Sequence, residues 1–211
     1  MQVRSPPKET GVTVRADAIA NREAIIATAI ALWADVGTGV SLRTIASNAG
    51  VGIGTLYRHF PTKDDLVRGV IDAVGASIGR IADRYEQGRG TDPTGAWRGF
   101  VTEMIDLRLG RLISRAVADP DPRTDEWMDS ARRQVLRQTD VVLAHAKADG
   151  LVREDVDAMH LQIGISQLSA PLTDYVGRLA PDWDSWLADV FIRGLRPSLF
   201  AETGGSCTSC G

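Results

Sequence analysis

Residues 41–60, SLRTIASNAGVGIGTLYRHF, constrain this chain more than any other stretch. Ser41 is a good helix N-cap, because its hydroxyl can accept an orphan backbone N–H. Leu42, Ile45, Ala46 and Ala49 follow at i, i+3, i+4 and i+7, one apolar face of a short helix. Gly50 stands where a left-handed C-cap residue belongs. Ile53, Leu56 and Phe60 then give a second helix, of about two turns, its own inward face. That leaves Gly54, Thr55, Tyr57, Arg58 and His59 facing outward, a dense set of hydrogen-bonding groups.

Such a face suits a DNA groove. Gly54 has no side chain to hold the backbone away from a partner. Thr55 and Arg58 can reach base edges, Arg being the commonest reader of guanine O6 and N7 and the Thr methyl a partner for the thymine methyl. Tyr57 and His59 suit phosphate oxygens, which set register rather than sequence. Arg43 and Thr44 open the first of the two helices, whose N-terminus can hold a phosphate, and Lys63 stands at the start of the next. The plainer alternative for all of these is a solvated polar surface.

Charge is distributed in the same sense. The 211 residues carry a net charge of −3, but residues 1–68 hold eight Lys/Arg and six Asp/Glu, leaving sixteen basic and twenty-one acidic residues of the total 24 and 27 for the remainder. A basic head on an acidic body fits a chain that meets phosphate at one end. Arg4, Lys8 and Arg15 either reach into a minor groove or belong to a solvated tail.

Residues 1–16 have two prolines and no apolar period and read as a disordered arm. From Asp17 the pattern turns helical, with Ile19, Ile26, Ile30 and Trp33 on one stripe and Gly37 and Gly39 as its stop. Thr62 opens a long helix to about Gly88, striped by Val67, Val70 or Ile71, Val74, Ile78, Ile81 and Tyr85. Further helical runs cover 96–109, 110–118, 126–148, 155–169 and 182–195. No segment alternates with period two, so the class is all-α with roughly nine helices. The domains expected are a DNA-binding head over 17–76 and a helical body over 77–199, with 200–211 a disordered tail.

Several classes are excluded. No apolar run approaches the roughly 20 residues of a membrane helix, and the charged N-terminus has no apolar core of a signal peptide, so a cytoplasmic protein is expected. Cys207 and Cys210 are the only cysteines, which rules out a disulfide framework within the fold. Their CxxC spacing supplies two thiols where a zinc site needs about four ligands, and the Gly/Ser/Thr surroundings favour a flexible tail over a redox motif. No nucleophile–base pair, phosphate loop or metal cluster is recognisable. His59 has no Cys or second His beside it. Neither an enzyme nor a metal or cofactor is expected.

The first 75 or so residues resemble the tetracycline-repressor (TetR) family of bacterial transcription regulators. The resemblance is carried by Ala29, Trp33 and Gly37, then SLRTIASNAG, VGIGTLYRHF and PTKDDL at fixed spacing over more than forty residues. The family often has Phe where Trp33 stands and Ser where Gly52 stands; glycine weakens an N-cap by only a few tenths of a kcal/mol relative to Ser. The resemblance implies a homodimeric DNA-binding repressor released by a small-molecule ligand. It is looser in the C-terminal half, where APLTDYVGRLAPDWDSWLADVFIRGLRP looks like the last two helices of some members, which form their dimer interface. The family's ligand pocket varies, so no ligand is implied beyond a small apolar or amphipathic one.

For a pocket, Trp97, Phe100, Met104, Trp127, Met128, Met159 and Tyr175 are large apolar residues that either line a cavity between helices or form plain core. His160, Gln162 and Gln167 are polar groups in an apolar run that face a pocket, solvent or a dimer seam. Trp183, Trp186, Val190, Phe191 and Leu195 form a wide apolar face on the last helix. A reader of palindromic DNA needs two heads, and that face is the expected dimer interface. The competing functions are a DNA-binding structural or chromosome-organising factor without an effector, and a redox-responsive regulator using the two cysteines.

Overall fold

A computed structural model describes residues 10–35, 37, 39–107, 125–169 and 178–197, with the side chains of 10–14 and 125–128 outside it. The described residues form eight helices and no strand: α1 (Thr10–Asp35), α2 (Leu42–Asn48), α3 (Ile53–His59), α4 (Lys63–Arg89), α5 (Pro93–Asp106), α6 (Asp125–Ala148), α7 (Ala158–Leu168) and α8 (Trp183–Gly194). The expected arm residues 1–9, the run at 110–118, Pro171, and Cys207 and Cys210 lie outside the described residues.

Local chemistry accounts for most of the boundaries. The Ser41 hydroxyl accepts the Thr44 N–H at 3.1 Å and starts α2. Gly50, at φ +69°, ends it in the left-handed region that favours glycine. Thr62 and Asp65 form a reciprocal capping box that opens α4. Asp92, followed by Pro93 in the first turn, opens α5, and Asp157 opens α7 by accepting the His160 N–H at 2.7 Å.

Two expectations about α1 are corrected. The helix begins at Thr10, not Asp17, because past Gly11 nothing in VTVRADAIA breaks it. Its apolar stripe begins later: Ile19 is 55% exposed, and burial starts at Ile25 and continues through Ile26, Ala29 and Trp33. The helix outruns the core it packs on.

Two clusters of buried side chains organise the molecule. In the first, Ile25, Ala29 and Trp33 of α1 meet Ile45 and Ala46 of α2, Leu56 and Phe60 at α3, and Leu66 and Val70 of α4. In the second, Ile78, Ile81 and Tyr85 of α4 meet Trp97, Phe100, Val101 and Met104 of α5, Val142 and Leu143 of α6, Leu161 and Ile165 of α7, and Ala188 and Ile192 of α8. The helix α4 belongs to both. At its far end Arg89 donates to both carboxylate oxygens of Asp149, at 2.8 and 3.1 Å, and His145 Nδ1 lies 2.7 Å from Glu86 Oε1. The Arg89 guanidinium holds the Asp149 carboxyl below its ordinary range.

The Tyr85 phenol is pushed up to about 12, first by burial and then by the negative charge of Asp149. An unfolded chain ionises its tyrosines near 10. The folded state therefore holds the Tyr85 proton more tightly, and the stability this gives is intact below pH 10 and is lost as pH rises through 12. Urea midpoints measured from pH 9 to 12 are expected to fall more steeply in the wild type than in Tyr85→Phe. Parallel curves would refute it.

Candidate nucleic-acid interface

The two turns of α3 sit on the first core through Leu56, fully buried, and Phe60, 2% exposed. Ile53 is partly buried beside them. The opposite side presents Gly54, Tyr57 and Arg58, all exposed, with Thr55 and His59 half-buried at its edges. Arg58 and His59 stand in the last turn. Gly52 supplies no side-chain cap, and its carbonyl accepts the N–H groups of Thr55 at 2.9 Å and Leu56 at 3.1 Å.

The two flanking helix starts differ. On α2, Arg43 is exposed, while the Thr44 hydroxyl is 2.9 Å from that of Ser41, and Asn48 donates to the Thr44 carbonyl at 2.9 Å. Thr44 is thus pinned on both sides. On α4, Asp65 accepts from the Thr62 N–H at 3.0 Å, and the Thr62 hydroxyl accepts the Asp65 N–H at 3.1 Å. Lys63 is exposed there, where its ammonium can meet a phosphate. Sequence reading passed over Arg22, whose guanidinium lies 5.3 Å from the centre of the Phe60 ring. It lies outside the 41–60 motif, and no linear spacing marks it.

The residues named for a pocket do not gather at one place. Trp97, Phe100 and Met104 are buried in the second core, Trp97 stacked on Phe100 at 5.7 Å and edge-on to Tyr85 at 6.5 Å. Met159 is 44% exposed, and His160 is exposed with Nδ1 2.8 Å from Asp157. Gln162 donates to the Thr139 hydroxyl at 2.8 Å, joining α7 to α6. The Trp127 and Met128 side chains and all of Tyr175 lie outside the described residues. An open groove of about 460 Å³ runs between α6 and the start of α7, lined by Asp140, Leu143, Lys147, Glu154 and Asp157, and it includes none of the residues named for a pocket.

On α8, Trp183 and Trp186 stack at 5.2 Å and stand exposed with Val190. Phe191 turns inward: a Cβ on Gly164 of α7 would fall 2.6 Å from its ring, so glycine is what lets the two helices close on each other. Leu195, expected on the outer face, is instead 8% exposed and packs in the second core, because it falls seven residues after Ala188 and three after Ile192, on the inward stripe of α8. The exposed face is narrower than the sequence suggested.

Residues 25–70 match the sequence profile described as bacterial regulatory proteins, tetR family, and residues 92–197 that of the C-terminal domain of SbtR-like transcriptional regulators. The chain belongs to the TetR family. This TetR-family chain is 33% identical over 100 residues to the HTH-type transcriptional repressor Rv3405c of Mycobacterium tuberculosis, an alignment covering 47% of each protein. It is 29% identical over 119 residues to the repressor KstR of the same organism, over 55% of this chain and 53% of that one. The chain thus spans about half the length of these curated relatives. Among solved structures, a TetR regulator of Mycobacterium vanbaalenii aligns over 87% of this chain and 99% of its own, with 29% identity and a TM-score of 0.55. LfrR of Mycobacterium smegmatis, solved with proflavine, aligns over 88% and 99% with a TM-score of 0.61 and 18% identity, a likeness of fold. TetR-family proteins are DNA-binding transcription regulators and not enzymes. No helix among the described residues is long and apolar enough to cross a membrane.

Proposed function

We propose that this TetR-family regulator is a repressor that binds a palindromic operator as a homodimer and leaves it when a small molecule binds the body. The observation that carries the reading is the face of α3: Gly54, Tyr57 and Arg58 turned outward, with Thr55 and His59 at its edges, on a helix whose other side is locked by Leu56 and Phe60. Arg43, Thr44 and Lys63 flank that face and position it on the phosphates, and Arg58 reads base edges. Two such faces are joined through the exposed Trp183, Trp186 and Val190 of α8, with Phe191 beneath them.

The ligand enters the reading through α4, which takes part in both cores. A compound that binds better to a conformer with the two faces wrongly spaced empties the operator. Moving that equilibrium from 1:99 to 99:1 takes about 5.5 kcal/mol of differential affinity. The solved relatives support an organic effector: LfrR is described with proflavine, and another structural neighbour as a γ-butyrolactone receptor.

The test is selection of duplex DNA from a random pool by the full chain, followed by footprinting. A two-fold symmetric protected site is expected, and enrichment of no sequence would sink the reading. On the selected duplex, Arg58→Ala is expected to cost about 1–3 kcal/mol and to relax preference at one base position per half-site. Equal affinity with equal preference would remove Arg58 from the reading face.

A further inference from the structure

We propose that Arg22 and Gly69 are positioning residues for the reading helix, acting on it through Phe60. The inference rests on α3 being the DNA-reading helix. Phe60 caps the C-terminus of α3, its N–H donating to the Leu56 carbonyl at 2.8 Å. Its ring is held between two other helices. On the α4 side a Cβ on Gly69 would fall 2.7 Å from the ring's Cε1, closer than real Cβ contacts come. On the α1 side the Arg22 guanidinium lies 5.3 Å from the ring centre, and its Nη2 is 3.5 Å from that same Gly69 Cβ position. Three helices therefore meet at one aromatic ring.

The geometry gives the ring a task. The N-cap of α3 is Gly52, which has no side chain to bond the first turn, so the start of α3 is held only by the partly buried Val51 and Ile53 and by no side-chain cap. Leu56 fixes the middle. Phe60 fixes the end, and Arg58 is two residues before it. A glycine inside a helix weakens that helix relative to alanine. The buried Gly69 in α4 is explained by the notch it opens for Phe60. Arg22 covers the ring as a cation over its face, leaving the guanidinium at the surface. A displaced ring carries the last turn of α3, with Arg58 and His59, to a new register on DNA.

The probes are the duplex that the wild-type chain selects from a random pool and a scrambled duplex of equal length. Gly69→Ala is expected to bind the selected duplex about tenfold more weakly, the ordinary result of overpacking a filled site. Affinity for the scrambled duplex and the dependence on salt are expected to stay at wild-type values, because phosphate contacts are untouched. Arg22→Gln is expected to bind the selected duplex about threefold more weakly, in line with a surface cation–π contact, also at unchanged salt slope. Its side chain is exposed, so it carries the test alone if Gly69→Ala does not fold. Wild-type affinity in both variants overturns the proposal. So does an Arg22→Gln chain that loses equally on both duplexes with a salt slope reduced by about one, the mark of a phosphate contact. A wild-type chain that selects no sequence overturns the DNA-reading role itself, a result distinguishable from the other two.

Discussion

Replacing Trp186 by aspartate is expected to leave the subunit folded and to divide the proposed homodimer. The indole is 53% exposed in the single chain and stacks on Trp183 rather than entering the core, so its removal opens no cavity. An aspartate early in α8 also suits the helix dipole, as Asp184 already does. Across a two-fold interface, however, the new carboxylate meets the same surface patch of its own copy, and like charges held together at an interface cost several kcal/mol. A monomer keeps one reading face and loses the second half-site. Operator affinity is expected to fall on the order of 10³-fold, to the level of non-specific binding, while far-UV circular dichroism stays that of the wild type. Sedimentation velocity at micromolar protein together with a titration of the selected duplex checks both parts. A Trp186→Asp chain that sediments as a dimer would place the subunit contact on another face.

What the sequence showed and what it concealed follow the range of the interactions involved. Ser41, Gly50 and Thr62 were legible as caps and stops because each acts on backbone within four residues of itself. The inward placement of Leu56 and Phe60 was legible from their three- and four-residue spacing. The start of α1 was not, because prolines in the first residues suggested an arm, and nothing local says where a helix that outruns its core begins. Leu195 could be read with the exposed tryptophans, yet it shares the buried stripe of Ala188 and Ile192 on α8, and which apolar stripe of a helix faces the core is a tertiary fact. Residues named for a pocket faced the same difficulty: Trp97 and Met159 are both large and apolar, and only the packing of α5 and α7 sends one inward and the other out. Arg22 and Gly69 meet at the Phe60 ring from helices far apart in sequence, a contact no spacing rule reports.

Trp97→Ala is expected to be the most destabilising single substitution in the body. The indole is 2% exposed, stacked on Phe100 with rings 17° apart and edge-on to Tyr85 at 79°. Truncating a tryptophan in such a setting costs about 3–5 kcal/mol, part lost transfer energy and part unfilled cavity. Against a total stability of roughly 5–15 kcal/mol, that is a large fraction. The loss is expected to be uneven. Trp97 belongs to the second core, so hydrogen exchange in α5 is expected to accelerate sharply while amides of α2, which rest on the first core, hold their protection. Equal acceleration in both would mean that α4 binds the two cores into one cooperative unit. The size of the cost also decides what Trp97 is. An indole packed on all sides pays the full cavity term, whereas one bordering an internal space has less contact to lose. A measured cost below about 1 kcal/mol would fall far under the core range and would move Trp97 from the core to the wall of a ligand pocket.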